Sequence, residues 1–83
     1  MKLVIYAREG CPYCSKVVSA IDSCNYPNLI IIYYLDKDFT REDFQKAYPG
    51  ATFPRGFLVK KGVKPQLLED SASILEELDN SSS

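Results

Sequence analysis

Leu3-Val4-Ile5-Tyr6-Ala7-Arg8-Glu9-Gly10-Cys11-Pro12-Tyr13-Cys14 is the stretch on which the fold of this chain turns. Its first five residues predict a short buried strand, and two thiols follow where that strand hands over to a helix. Cys11 falls at the helix start. Pro12 takes the first-turn place, where a missing N–H costs nothing, and Val17, Val18 and Ile21 supply an inward face. Asn25-Tyr26-Pro27-Asn28 is a breaker cluster that ends the helix near residues 23–24. Leu29-Ile30-Ile31-Ile32-Tyr33-Tyr34-Leu35 is a continuous apolar run, the pattern of a strand covered on both faces. Strand, helix and strand at this spacing make a βαβ unit with a parallel pair and a right-handed crossover.

Beyond it, Asp36-Lys37-Asp38 turns the chain, and Thr40 offers an N-cap with Glu42 and Asp43 in the first helical turn. Phe44, Ala47 and Tyr48 sit at helical spacing until Pro49-Gly50 stops the helix. Residues 57–59 and 63–68 read as two strands joined at Lys61-Gly62, and Pro65 assigns the second to a sheet edge. Asp70 or Ser71 caps a last helix carrying Ile74, Leu75 and Leu78, with Glu76-Glu77 on a solvent face. Residues 1–79 thus form a single domain and residues 80–83 a flexible C-terminal tail.

The 83 residues, 46% hydrophobic and 25% charged with net charge -1, fit one small globular domain. The charges are scattered, so neither a nucleic-acid groove nor a membrane surface is expected. Only five apolar residues precede Arg8 and Glu9, too few for a secretory h-region. Three cysteines is an odd count, which argues against a fully paired framework and for a reducing, cytoplasmic setting.

A thiol attacks a disulfide only as the thiolate. At a helix N-terminus, free backbone N–H groups and the helix dipole favour that anion on Cys11, and Arg8 just upstream adds a full positive charge. Cys14, one turn further in, is the more protonated. The roles follow: Cys11 attacks and Cys14 resolves the mixed disulfide. Cys-x-x-Cys is also half of a zinc site, but the chain has no histidine, and only Cys24 remains as a third sulfur. Inert packing of the pair is the bland alternative. The lack of histidine also excludes a Cys–His protease dyad. Cys24 reads as a small apolar filler, and Tyr33-Tyr34 as core and sheet surface. Lys60, Lys61 and Lys64 make a basic hairpin tip, solvated or able to steer an acidic partner.

Cys11-Pro12-Tyr13-Cys14 resembles the active-site tetrapeptide of dithiol glutaredoxins, and Thr52-Phe53-Pro54 is similar to their Thr-Val-Pro segment. The resemblance implies an α/β, thioredoxin-like (glutaredoxin) fold, β-α-β-α-β-β-α, with a four-stranded mixed sheet flanked by helices. It implies a cis bond before Pro54, with the Phe53 main chain opposite the sulfurs and pairing with the cysteine of glutathione. The glycine carboxylate would approach Arg8 and Tyr13, and the γ-glutamyl end would meet Asp70 and Ser71. Where this family usually carries a glycine pair, the chain reads Gln66-Leu67-Leu68-Glu69, so Leu67 and Leu68 are expected to crowd that end and Glu69 to repel an anion.

The function so implied is glutathione-dependent reduction of protein disulfides and glutathione mixed disulfides, by a monomer. Glutathione is then the reducing co-substrate, with no tightly bound cofactor and no metal, and ribonucleotide reductase stands among the disulfide-containing proteins served. Two alternatives remain: a thioredoxin-like reductant served by thioredoxin reductase, and a non-catalytic iron–sulfur or zinc module.

Overall fold

The computed structural model describes residues 1–50 and 52–81. In chain order its elements are β1 (Lys2–Ala7), α1 (Pro12–Ser23), β2 (Leu29–Tyr34), α2 (Arg41–Ala47), β3 (Arg55–Val59), β4 (Gln66–Leu68) and α3 (Ser71–Ser81). The expected element order holds throughout. The four strands form one mixed sheet in the order β2-β1-β3-β4. β1 runs parallel to β2 and antiparallel to β3, and β3 runs antiparallel to β4.

Alternation along β1 assigns the two sides of the sheet. Leu3 and Ile5 are fully buried and join Val17, Leu58, Leu68, Ile74 and Leu78 in the core beneath α1 and α3. Val4 and Tyr6 point the other way, towards α2, where Tyr6 meets Phe39, Phe44 and Tyr48 with ring centroids 5.2 to 5.9 Å apart. α3 is drawn onto the sheet at Gly56, where an added Cβ would lie 3.0 Å from Cγ1 of Ile74. Gly56→Val is therefore expected to destabilise the fold by about 1–3 kcal/mol, read as a lower urea midpoint at unchanged slope. Tyr26 after α1 donates to Glu77 on α3 at 3.1 Å, so Glu77 does not lie on a purely solvent face.

Several local expectations are corrected. β2 pairs only with β1, so it is an edge strand, and its residues are half-buried or exposed rather than covered on both faces. Its apolar run reflects the core on one side and aromatic contacts on the other, such as Tyr33 stacked on Tyr6. The last strand is shorter than residues 63–68, because Pro65 supplies no N–H and pairing starts only at Gln66. Its edge position holds. Ala47 is exposed, since α2 buries only Phe44 fully. α3 extends through Asn80 and Ser81, where a tail was expected; the remaining two residues of that tail lie outside the described residues. Among the described residues, no helix is long and apolar enough to cross a membrane.

Candidate active site

Gly10, at φ +76°, lets the chain leave β1 and turn sharply into α1. The turn sets Cys11 as the N-cap of α1 in an extended conformation, with Pro12 immediately after it. A sulfur thus occupies the place where serine, threonine or aspartate normally supplies an oxygen. The N–H of Cys14 donates to Cys11 Sγ at 3.4 Å. Both sulfur-bearing residues are buried, at 4% and 3% exposure, and they pack with Ala7, Ile32, Tyr34 and Phe53. Exposure alone does not tell the two thiols apart. Their electrostatics does.

Burial opposes ionisation of Cys11, but it is outweighed by the Cys14 thiol donating to its sulfur, by the N–H groups of Cys14 and Tyr13, and by the Arg8 charge. The Cys11 pKa is therefore held below the ordinary thiol value. Burial pushes the Cys14 thiol up to about 11; the Arg8 main-chain N–H works against this, while proximity to Cys11 adds to the rise. Of two adjacent sulfurs, one ionises more readily than an ordinary thiol and the other less readily.

The bond between Phe53 and Pro54 is cis, as expected. Tyr13, Thr52, Phe53, Pro54, Asp70 and Ser71 line one groove of about 340 Å³. Tyr13 is 57% exposed on its rim, with Lys16 Nζ 5.5 Å from its ring centre. Asp70 Oδ1 accepts from the Ser73 N–H at 2.9 Å, so Asp70 caps α3, and the Ser73 N–H and hydroxyl hold its carboxyl below the usual range. Leu67 and Leu68 do not crowd this groove: Leu68 turns into the core, and Leu67 lines a separate cavity with Gln66 and Glu76. Glu69 is not among its walls either.

Arg8 is the residue that the structure separates from the rest. It does not share the groove of Tyr13 but lines a neighbouring cavity of about 410 Å³ with Arg41, Phe44, Gln45, Thr52 and Phe53. Thr52 and Phe53 are the wall common to both. Sequence reasoning missed Arg41 and Gln45. One signal was available: Arg41 opens α2 directly after its Thr40 cap, where a cation opposes the helix dipole. On its other side Arg8 borders a cavity with Cys14 and Tyr34, beside the exposed Lys37–Glu9 ion pair at 2.6 Å.

Cys24 packs partly buried at the core edge, as a filler would, its Sγ donating to the Ile21 carbonyl at 3.6 Å. The whole of α1 separates it from Cys11, about 18 Å at 1.5 Å per residue, so it is no third ligand for the pair. Among the described residues, no three His, Cys, Asp or Glu side chains gather as a metal site.

A protein-family model described as Glutaredoxin matches residues 3–64 of the chain. The match includes both thiols and the cis-proline loop and ends before β4, so Asp70 and Ser71 lie beyond it. No curated protein matches the sequence. A solved structure titled "Structure of a malarial protein" superposes with a TM-score of 0.56 at 14% identity, over 96% of this chain and 94% of that one. At that identity the likeness is one of fold.

Proposed function

Since the chain belongs to the glutaredoxin family, we propose that it is a glutathione-dependent thiol–disulfide oxidoreductase acting on glutathione mixed disulfides and protein disulfides. The observation that carries this reading is the opposite displacement of two neighbouring thiol pKa values, Cys11 down and Cys14 up. The Cys11 thiolate attacks the glutathione sulfur of a mixed disulfide, forming a Cys11–glutathione disulfide and releasing the protein thiol. A second glutathione thiolate then attacks that bond, restoring Cys11 and leaving oxidised glutathione. With a protein disulfide, Cys11 is joined to the substrate instead, and Cys14 attacks Cys11 Sγ. Its proton passes to the departing substrate thiolate, and two glutathione molecules later reduce the Cys11–Cys14 bond.

The groove walls support a placement for glutathione that differs from the sequence expectation. Its cysteine lies along the Phe53 main chain, and its γ-glutamyl end meets Asp70, Ser71 and the free N–H groups opening α3. The glycine carboxylate is received by Arg8 and Arg41 rather than by Arg8 and Tyr13, because only the former two line one cavity. This chemistry belongs to a reducing, cytoplasm-like compartment, with ribonucleotide reductase as one protein whose disulfide it would reduce.

The reading is tested by treating the Cys14→Ser protein with oxidised glutathione and locating the adduct by mass spectrometry. One glutathione on Cys11 is expected; an unmodified Cys11, or an adduct confined to Cys24, rejects it. In the same assay system Arg41→Met is expected to raise KM for a glutathione mixed disulfide about tenfold, equivalent to ~1.4 kcal/mol, with kcat little changed. An unchanged KM removes Arg41 from the binding site.

A further inference from the structure

The sheet has a side that the fold only half covers. α2 is seven residues long, about 10 Å of helix, whereas the six residues of β1 extend about 20 Å. Phe44 and Tyr48 therefore roof Tyr6 and Phe57 near the active-site end. Past them the strand residues on this side are left without a helix above. Val4, Tyr6, Tyr48, Phe57 and Val59 wall an open groove of about 430 Å³, with Lys64 on its rim. Val63 beside it is 61% exposed, and Leu29, on the same side of neighbouring β2, is 62% exposed. An open apolar groove bounded by charge marks a place where something docks.

The boundary charge is of one sign. Lys2 lies opposite Val59 in the β1–β3 register, Lys60 and Lys61 continue directly from Val59, and Lys64 stands at the groove itself. Among the described residues, none of these four lysines is in an ion pair. In a protein of net charge -1, four of the ten basic residues are gathered at one end of one sheet. The acidic residues of α3, such as Glu76 and Asp79, belong to the layer on the opposite side.

We propose that this groove docks a short segment of a partner protein in which a branched or aromatic apolar side chain is flanked by aspartate or glutamate. The apolar residue fills the space between Val4, Phe57 and Val59, and the carboxylates meet Lys64 and the lysines beside it. Taken with the proposed oxidoreductase activity, on which this clause alone depends, the partner is a protein whose disulfide is reduced. Tyr6 and Tyr48 touch Phe44, on which Phe53 stacks with centroids 4.7 Å apart, so the groove adjoins the aromatic cluster that backs the active-site loop. Extra contact there holds a protein substrate that the thiols alone would grip only weakly.

The test uses fluorescence anisotropy with the reduced full chain and a fluorescein-labelled peptide of alternating glutamate and leucine. Saturable binding is expected, weakened at least about tenfold in a Lys61→Glu, Lys64→Glu double variant and falling steeply with salt. Both positions are exposed, so the variant keeps the fold, checked by unchanged alkylation of Cys11 with iodoacetamide. Loss with Val59→Gln supports the apolar half of the site. Equal binding by wild type and double variant overturns the proposal, as does equal binding of a peptide alternating lysine and leucine. Tighter binding of single-stranded RNA overturns it too, and so does a sedimenting dimer whose formation excludes the peptide. No readout involves disulfide turnover, so failure here leaves the proposed redox function standing, and failure of that function leaves this result interpretable.

Discussion

Cys11→Ser is expected to lose thiol–disulfide exchange entirely, a fall of more than ~10³-fold in turnover of any disulfide substrate. A hydroxyl at this position still caps α1, so the helix start and the fold are preserved. What vanishes is the one sulfur of the pair whose ionisation is favoured over that of an ordinary thiol. The pH dependence carries the same argument. Because the Cys11 pKa is lowered, the wild-type protein reacts with iodoacetamide at pH values where an ordinary cysteine is protonated, and reactivity declines as pH falls through that lowered value. Cys14 begins to react only as pH climbs towards about 11. Turnover by Cys11→Ser equal to wild type would reject the role assignment, and an alkylation midpoint like that of free cysteine would reject its physical basis.

The second large effect separates two substrates. Cys14→Ser is expected to reduce glutathione mixed disulfides within about tenfold of wild type, because in the proposed cycle Cys11 attacks and glutathione completes the turnover. On a protein disulfide the same variant stalls as a covalent complex, lacking the thiol that attacks Cys11 Sγ. The residue at position 14 also tunes its neighbour, since its thiol donates to the Cys11 sulfur. Serine keeps a donor and alanine does not, so Cys14→Ala is expected to ionise Cys11 at a higher pH than Cys14→Ser does. Identical alkylation profiles for the two variants would show that the side chain at position 14 contributes nothing, leaving the main-chain N–H groups and the Arg8 charge to favour the anion.

The sequence made the active-site turn legible because each of its residues has a local reason to be there. Pro12 fixes the first helical turn, Gly10 permits the sharp entry, and a small apolar strand precedes both. The parallel β1–β2 pair followed from connection length, and the four-stranded mixed sheet from the family resemblance. What stayed hidden depended on which way side chains face in the assembled sheet. Leu67 and Leu68 read as an obstacle, yet alternation along β4 sends Leu68 inward and Leu67 away from the groove. Arg8 and Tyr13 are five positions apart but fall on opposite sides of the Thr52–Phe53 wall, and Arg41 reaches Arg8 from a different helix. Tertiary proximity of that kind leaves only a faint trace in one sequence. Here the trace was a cation where a helix prefers an anion.

The position of β2 has a further consequence. Six uncharged residues, Leu-Ile-Ile-Ile-Tyr-Tyr, form the outermost strand, whose outer edge pairs with no other strand of the sheet. Such a segment is a template for runaway self-assembly into fibrils, and the chain brackets it with Pro27 before and Asp36, Lys37 and Asp38 after, residues that act as gatekeepers. Concentrated solutions of this protein should therefore keep best away from its isoelectric point near 5.3, where repulsion between molecules is weakest.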